Sequence, residues 1–352
     1  VEKTDEVEKI LKKAGVAFIR LARPCDERHL LIHKDGADYQ FFIDHLRDVW
    51  FESSYLLDRK QSGEKAAKDR FLNYKEQPLQ FRFPDSFTGT LAQYGISADR
   101  RTRSGVKAAI IREKGVNGDR EMAYSLYLAG FDVKDVHMTD LISGRETLDD
   151  INMIVYCGGF SNSDVLGSAK GWAGGFLWNE KAKAALDRFY NRPDTLSLGI
   201  CNGCQMFSEL HSLIPGAEHW PRFVRNLSEQ FEARLVQVKI EESPSIFFSG
   251  MAGSSMPVVN AHGEGRVLWR DPADAGQALV AARYVDPQGR PTETYPFNPN
   301  GSAAGVTSVT TPDGRFTAMM PHPERSHRAV QLSWGEEALD GEWSPWMRMF
   351  WN

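Results

Sequence analysis

LSLGICNGCQMFSEL, residues 196–210, reads as a buried strand that runs straight into a helix. The turn between them is Gly199-Ile200-Cys201-Asn202-Gly203. This is the layout of a nucleophile elbow, where the reactive residue sits on a tight turn and small neighbours make room for it. Cys201 then lies at the N-terminus of the following helix. The positive helix end favours thiolate over a thiol whose free pKa is ~8.5. The amide of Asn202 points to the same place and can help hold an oxyanion.

Working outward, the pattern around the elbow alternates. Strands are expected at residues 106–111, 131–138 and 153–157, and helices at 119–129, 180–190 and 203–211. Gly130 closes the first of these helices and Pro193 ends the second. Such alternation implies βαβ units and an open, mostly parallel α/β sheet flanked by helices, with the site beyond the carboxyl ends of its strands. From Phe231 onward, strands at 233–240, 257–260, 305–310 and 316–320 mix with turns. Ahead of the sheet, residues 1–20 read as a helix leading into a short strand at 16–21. Residues 44–75 carry apolar groups at helical spacing, as in a helix packed on a core. Residues 77–95 look like a surface connector, and 97–105 (SADRRTRSG) like a boundary.

A chain of 352 residues suggests two units. With 41% hydrophobic and 25% charged residues it has material for a core, and a net charge of −5 gives no basic stripe for nucleic acid. No apolar run approaches the ~20 residues needed to span a bilayer. The charged stretch VEKTDEVEKILKKAG at the start has no secretory h-region, so a cytoplasmic setting is expected. The four cysteines, Cys25, Cys157, Cys201 and Cys204, are too few for a disulfide scaffold. Cys201 and Cys204 also form a C-x-x-C, the spacing of redox and zinc sites, but no second ligand pair is spaced for zinc. A packed, inert pair is a further alternative.

A thiol nucleophile needs a base, and the base needs an orienting partner. MMPHPERSH, residues 319–327, offers His322 and Glu324 on a Pro-flanked loop after a strand. At this spacing the carboxylate can grip the far ring nitrogen and fix the tautomer. Alone, the pair could equally be a surface histidine near an incidental acid. Gly158 and Gly159 open a long Gly-rich segment, YCGGFSNSDVLGSAKGWAGG (156–175), where backbone amides can approach a ligand. A flexible loop is the alternative there. In VVNAHGEGRV (258–267), His262 between small residues reads on spacing alone as a turn histidine.

Taken together, Gly199-x-Cys201-x-Gly203-x-Gln205 and His322-x-Glu324 resemble the class I (triad) glutamine amidotransferases. GICNGCQ, GGFS followed by DVLGSAKGWA, FVRNLSEQFEARLVQVKI, NAHGEGR and PHPER are similar to segments of the glutaminase region of the large single-chain phosphoribosylformylglycinamidine synthases. LRDVWFESSYLLDRKQSGEKAAKDRFLNYK and FTGTLAQYGI resemble the stretch joining synthetase to glutaminase there. One departure stands out: the family usually continues GGFS with Tyr-Gly-Asp, and this chain has Asn162-Ser163-Asp164.

The resemblance implies a flavodoxin-like amidotransferase domain at 105–352, preceded at 1–104 by the end of a synthetase region and a linker. It implies Cys201 as nucleophile, His322 and Glu324 completing a triad, and an oxyanion hole from the amides of Gly159 and Asn202. Gly158, Gln205 and His262 would line a glutamine pocket; Arg225, Asn226 and Ser228 fall in a further segment near it. Glutamine would be hydrolysed to supply ammonia for ATP-dependent conversion of formylglycinamide ribonucleotide to its amidine. No P-loop occurs, so ATP and Mg are expected on synthetase domains upstream in the same polypeptide, and no cofactor in this chain. The isolated chain is expected to hydrolyse glutamine poorly. A cysteine peptidase-like enzyme, or a non-catalytic docking domain on the same fold, is the competing reading.

Overall fold

The charged N-terminal segment forms helix α1 (Thr4–Lys13), but residues 16–21 are not a strand. An extended segment becomes a strand only by pairing; this one has no ladder, and Ile19 and Leu21 stay 84% and 89% exposed. The strands of this region follow instead: β1 (His29–Lys34) and β2 (Ala37–Phe42), an antiparallel hairpin. Asp35 and Gly36 turn it with φ of 52° and 79°, as a two-residue hairpin loop requires. Helix α2 (Ile43–Gln61) has the expected helical spacing but not the expected core, since Trp50 is 82% exposed. The structure is a computed structural model describing residues 3–76, 82–83, 87–95, 97, 99–100, 102–332 and 341–352. Two compact units divide it, Val1–Asp58 and Arg59–Asn352. The expected connector at 77–95 lies partly outside the described residues, as does the boundary at 97–105.

The second unit opens with α3 (Glu64–Asn73) and is built on nine strands in one sheet. Its parallel half is β3 (Lys107–Arg112), β4 (Asp132–His137), β5 (Met153–Tyr156), β6 (Leu196–Ile200) and β13 (Phe316–Met319), in the order β4-β3-β5-β6-β13. β5 is buried throughout, and β3 and β6 nearly so, which is why their sequences read as continuous apolar runs rather than alternating ones. Antiparallel strands extend the sheet: β12 (Val306–Thr310), β11 (Leu279–Tyr284), β8 (Glu232–Ile240) and β9 (Ser255–His262). A separate two-stranded ladder pairs β7 (Arg222–Val224) with β10 (Arg266–Leu268).

Helices α4 (Asp119–Leu128), α5 (Met138–Ser143), α6 (Lys170–Leu177), α7 (Glu180–Asn191), α8 (Asn202–Glu209) and α9 (Met347–Trp351) complete the unit. α7 shows why such segments fold as they do. It buries Ala182, Ala185, Leu186, Phe189 and Tyr190, one stripe at helical spacing. Asn179 caps it by accepting from the Ala182 amide at 2.9 Å. α8 is different: Asn202 through Ser208 are all buried, so this short helix is held by tertiary packing, not propensity. Among the described residues no helix is long and apolar enough to cross a membrane.

Candidate active site

Three neighbouring parallel strands deliver the candidate groups at their carboxyl ends, where open α/β sheets bind ligands. Gly158 and Gly159 follow β5, Cys201 follows β6, and His322 lies three residues past the end of β13. Tyr156 pairs with Gly199, and Ile200 with Met319, so the three strand ends stand level. The Cys201 amide extends that ladder by donating to the Met319 carbonyl at 3.0 Å. His322 is held from the other side, its amide donating to the Val259 carbonyl of β9 at 2.8 Å.

Cys201 adopts φ 54°, ψ −110°, outside the ordinary regions for a side-chain-bearing residue. Such a conformation costs about 1–3 kcal/mol and persists only where its surroundings dictate it. The surroundings here are glycines. A Cβ on Gly199 would meet the Phe207 Cβ at 2.8 Å, and one on Gly203 would meet the Tyr156 Cβ at 2.7 Å and its carbonyl oxygen closer still. Gly158 sits against both candidate groups: a Cβ there would lie 2.6 Å from His322 Cε1 and 3.2 Å from Cys201 Cβ.

His322 Nδ1 and Glu324 Oε1 are 2.6 Å apart, and both residues are buried. Burial alone would lower the His322 pKa. The Glu324 carboxylate and the Cys201 thiol outweigh it and raise the value to about 10. Nε2 is buried without a hydrogen-bond partner, while the Cys201 thiol donates to the Ala261 carbonyl at 3.6 Å. The sulfur nonetheless lies close enough to the ring that its charge and its side-chain hydrogen bonding both help to raise the His322 pKa. His262 behaves oppositely: burial and the neighbouring His322 charge lower its pKa to about 3, so it stays neutral. Its Nε2 lies 3.4 Å from the Tyr284 hydroxyl, and its Nδ1 is buried without a partner.

The other expected residues divide. Asn202 spends its side chain on neighbours, accepting from the Ser161 amide at 3.0 Å and donating to Asp164 at 2.9 Å and Gln205 at 2.8 Å. Gln205 in turn donates to the Glu264 carbonyl. Asn226 pins the segment carrying His262, donating to the His262 carbonyl at 2.9 Å and accepting from the Gly265 amide at 3.0 Å. Arg225 is exposed, and Ser228 accepts from the Gln230 amide at 3.3 Å within its own turn. Cys204 is buried one turn into α8; burial, then the adjacent Cys201, push its thiol well above the usual range. That leaves it as core.

The segment after Gly159 is a tight, left-handed turn rather than a floppy connection. Asn162, Ser163 and Asp164 have φ of 51°, 58° and 49°. The glycine usual at the second of these positions in the resembled family is explained by that backbone. Ser163→Gly should stabilise the chain by up to ~1 kcal/mol, since an L-residue is disfavoured there by about that amount. A denaturant midpoint that falls on this substitution would contradict the reading. Sequence reasoning passed over Asp164 and Glu264, which accept from Asn202 and from Ser168. Glu264 lies inside the quoted 258–267 stretch, but nothing in its spacing announces that it bends back to the loop at 167–168.

Residues 105–352 match the family described as the CobB/CobQ-like glutamine amidotransferase domain. The chain belongs to that family. A chain of the PurLQS structure from Thermotoga maritima is similar to this amidotransferase at 25% identity, with 70% of this chain and 95% of that chain covered and a TM-score of 0.52. A glutamine amidotransferase from Thermotoga maritima matches at 15% identity over 65% of this chain and 80% of its own, TM-score 0.40. One from Methylobacillus flagellatus matches at 11% identity over 71% and 93%, TM-score 0.36. The open, mostly parallel α/β sheet expected from the alternating elements, and the amidotransferase fold that the resemblance implied, are the fold of this chain.

Proposed function

We propose that this chain hydrolyses glutamine to glutamate and ammonia through a thioester on Cys201. The observation that carries the proposal is the buried His322–Glu324 pair, at 2.6 Å, set beside a strained cysteine at the end of the adjacent strand. In this reading the Cys201 thiolate attacks the side-chain amide carbon of glutamine. The amides of Gly159 and Asn202 take the oxyanion; losing one such donor typically costs ~10²–10³ in rate. His322 protonates the departing ammonia, then takes a proton from water as the thioester is cleaved. Gly158, Gln205 and His262 line the pocket. A diazoketone analogue of glutamine should alkylate Cys201, and glutamine should protect it. Labelling elsewhere, or labelling indifferent to glutamine, would remove the reading.

The pH dependence follows from the charge on His322. With a pKa raised to about 10, the ring keeps the proton that ammonia release requires until the pH approaches that value. Glu324→Gln removes the largest influence raising that pKa and leaves burial, which lowers it. The alkaline limb of kcat/KM should therefore move to lower pH, with the neutral rate down on the order of 10²–10⁴. An unmoved limb would show that Glu324 does not set the charge of His322. By linkage, the raised pKa adds stability that is full below the ordinary value near 6.5 and is lost as pH climbs through about 10.

The ammonia, in the same proposal, serves ATP-dependent conversion of formylglycinamide ribonucleotide to formylglycinamidine ribonucleotide in purine biosynthesis, in the cytoplasm. The likeness to PurLQS and the GGFS, NAHGEGR and PHPER segments support it. Residues 105–352 would be the glutaminase and 1–104 the end of a synthetase region, whose domains bind ATP and Mg. In a polypeptide carrying that synthetase, Cys201→Ala should remove glutamine-dependent amidine formation and spare the ammonia-dependent reaction.

A further inference from the structure

The loop between β3 and α4, EKGVNG (113–118), supplies no reacting group, yet it touches two parts of the candidate site. It doubles back beyond the end of β3 and makes one antiparallel rung with the segment after β5, Val116 opposite Gly159. The Asn117 amide donates to the Gly158 carbonyl at 2.9 Å, and the Phe160 amide to the Gly115 carbonyl at 2.8 Å. The Asn162 amide donates to the Lys114 carbonyl at 2.9 Å. Glycines make so close an approach possible. Gly115 has φ 90°, and a Cβ there would fall on the Phe160 carbonyl oxygen. A Cβ on Gly159 would meet the Asn117 amide nitrogen at 2.7 Å.

That rung fixes the direction of one peptide. The Gly158 carbonyl and the Gly159 N–H belong to the same planar trans unit, so they point opposite ways. The carbonyl is turned to the loop on the β3 side. The N–H therefore faces the β6 side, because β5 lies between β3 and β6. Cys201 follows β6, and a Cβ on Gly158 would lie only 3.2 Å from the Cys201 Cβ. Among the described residues the Gly159 N–H donates to no group. The same loop reaches the acid of the candidate triad. Asn117 Oδ1 accepts from the Arg325 guanidinium, whose Nε lies 4.0 Å from Glu324 Oε1. A Cβ on Gly118, φ 79°, would sit 3.2 Å from that guanidinium and 3.4 Å from Glu324 Oε1. Asn117 is thus a junction, with its amide on the Gly158 carbonyl and its side chain on the turn that carries Glu324.

We propose that Asn117 and the loop around it preset the Gly158–Gly159 peptide as an oxyanion donor and fasten it to the Glu324 turn. This rests on the glutamine reading given above. A peptide left to rotate would at times present its carbonyl to the developing negative charge. A held one presents its N–H, with no reorganisation when the charge forms. Gly115 and Asn117 are positioning residues in this account, acting through the peptide and the turn.

The test separates a step that builds an oxyanion from one that does not, on the full 352-residue chain. Glutamine hydrolysis passes through a tetrahedral oxyanion. Alkylation of the Cys201 sulfur by iodoacetamide, read at that residue by peptide mass, displaces iodide from a saturated carbon and builds none. Gly115→Ala drives its Cβ onto a backbone oxygen and should part the rung. Its kcat for glutamine should fall on the order of 10²–10³, as when an oxyanion donor is lost, with KM and the alkylation rate within a few-fold of wild type. Asn117→Ala removes only the link to Arg325. It should lower kcat by about ten-fold in the same pattern, the effect of a displacement well under ~1 Å. An alkylation loss as large as the hydrolysis loss, in either variant, would mean a general collapse of the site and overturn the proposal. Unchanged hydrolysis in either would overturn it equally. If Gly115→Ala fails to fold, Asn117→Ala decides by the same two rates. A wild-type chain that neither hydrolyses glutamine nor is alkylated by its diazoketone analogue would instead remove the glutamine reading, and this inference with it.

Discussion

Cys201→Ala should abolish glutamine hydrolysis, with a loss on the order of 10⁴-fold or more, while the chain stays folded. Removing the nucleophile of a covalent mechanism removes the route, and what remains is binding and oxyanion stabilisation. Cys201 is small and 5% exposed, and alanine keeps its Cβ and its backbone constraint, so little packing is lost. Cys204→Ala is the necessary companion. Cys204 is wholly buried with its thiol pushed well up, so alanine there leaves a small cavity and activity within a few-fold. Measured side by side by ammonia release and by circular dichroism, the two substitutions separate nucleophile from core. If activity follows Cys204 instead, the C-x-x-C regains its redox or metal interpretation.

Gly203→Ala carries the second large effect, and it acts without touching a reacting group. The added Cβ falls on the Tyr156 carbonyl oxygen, which is backbone of β5 and cannot rotate away. α8 must retreat from the sheet, and Cys201 stands at the start of α8. Overpacking of this kind costs about 1–3 kcal/mol. A displacement of ~1 Å in a reacting group costs about 10²-fold in rate, so activity should fall by at least that much. Gly276→Ala is the control: a Cβ there meets nothing within 4 Å, and both stability and rate should be nearly unchanged. Equal behaviour of the two variants would mean that α8 is not seated as described.

The elbow, the alternation of strands and helices and the pairing of His322 with Glu324 were all legible in the sequence, because each is local. A strand-turn-helix with glycines at fixed offsets, or an acid two residues from a histidine, needs no tertiary information. The misses have a common cause as well. Residues 16–21 have strand-like composition, but pairing partners decide strands, and the hairpin at β1 and β2 took that role nearby. α2 has apolar residues at helical spacing, and spacing says nothing about what, if anything, covers them. Within the site, Gln205 and Asn202 are engaged in holding neighbours, and the Asp164–Glu264 arrangement joins residues a hundred positions apart. Such meetings are set by the way β9 and the loop after β5 converge, and no periodicity reports that.

The level strand ends have a further consequence. Cys201 is one residue beyond Ile200, His322 three beyond Met319, and those two anchors face each other in the β6–β13 ladder. A sheet spaces its rungs in steps of about 3.3 Å, so the sulfur-to-imidazole separation is ruled off by hydrogen bonds in the middle of the protein. A slip of one rung would part the two groups altogether, while smaller shifts, such as the one expected of Gly203→Ala, act by degrees on the segments beyond the strand ends. The strand ends thus hold the two segments in common register, and what varies around them is the loops beyond.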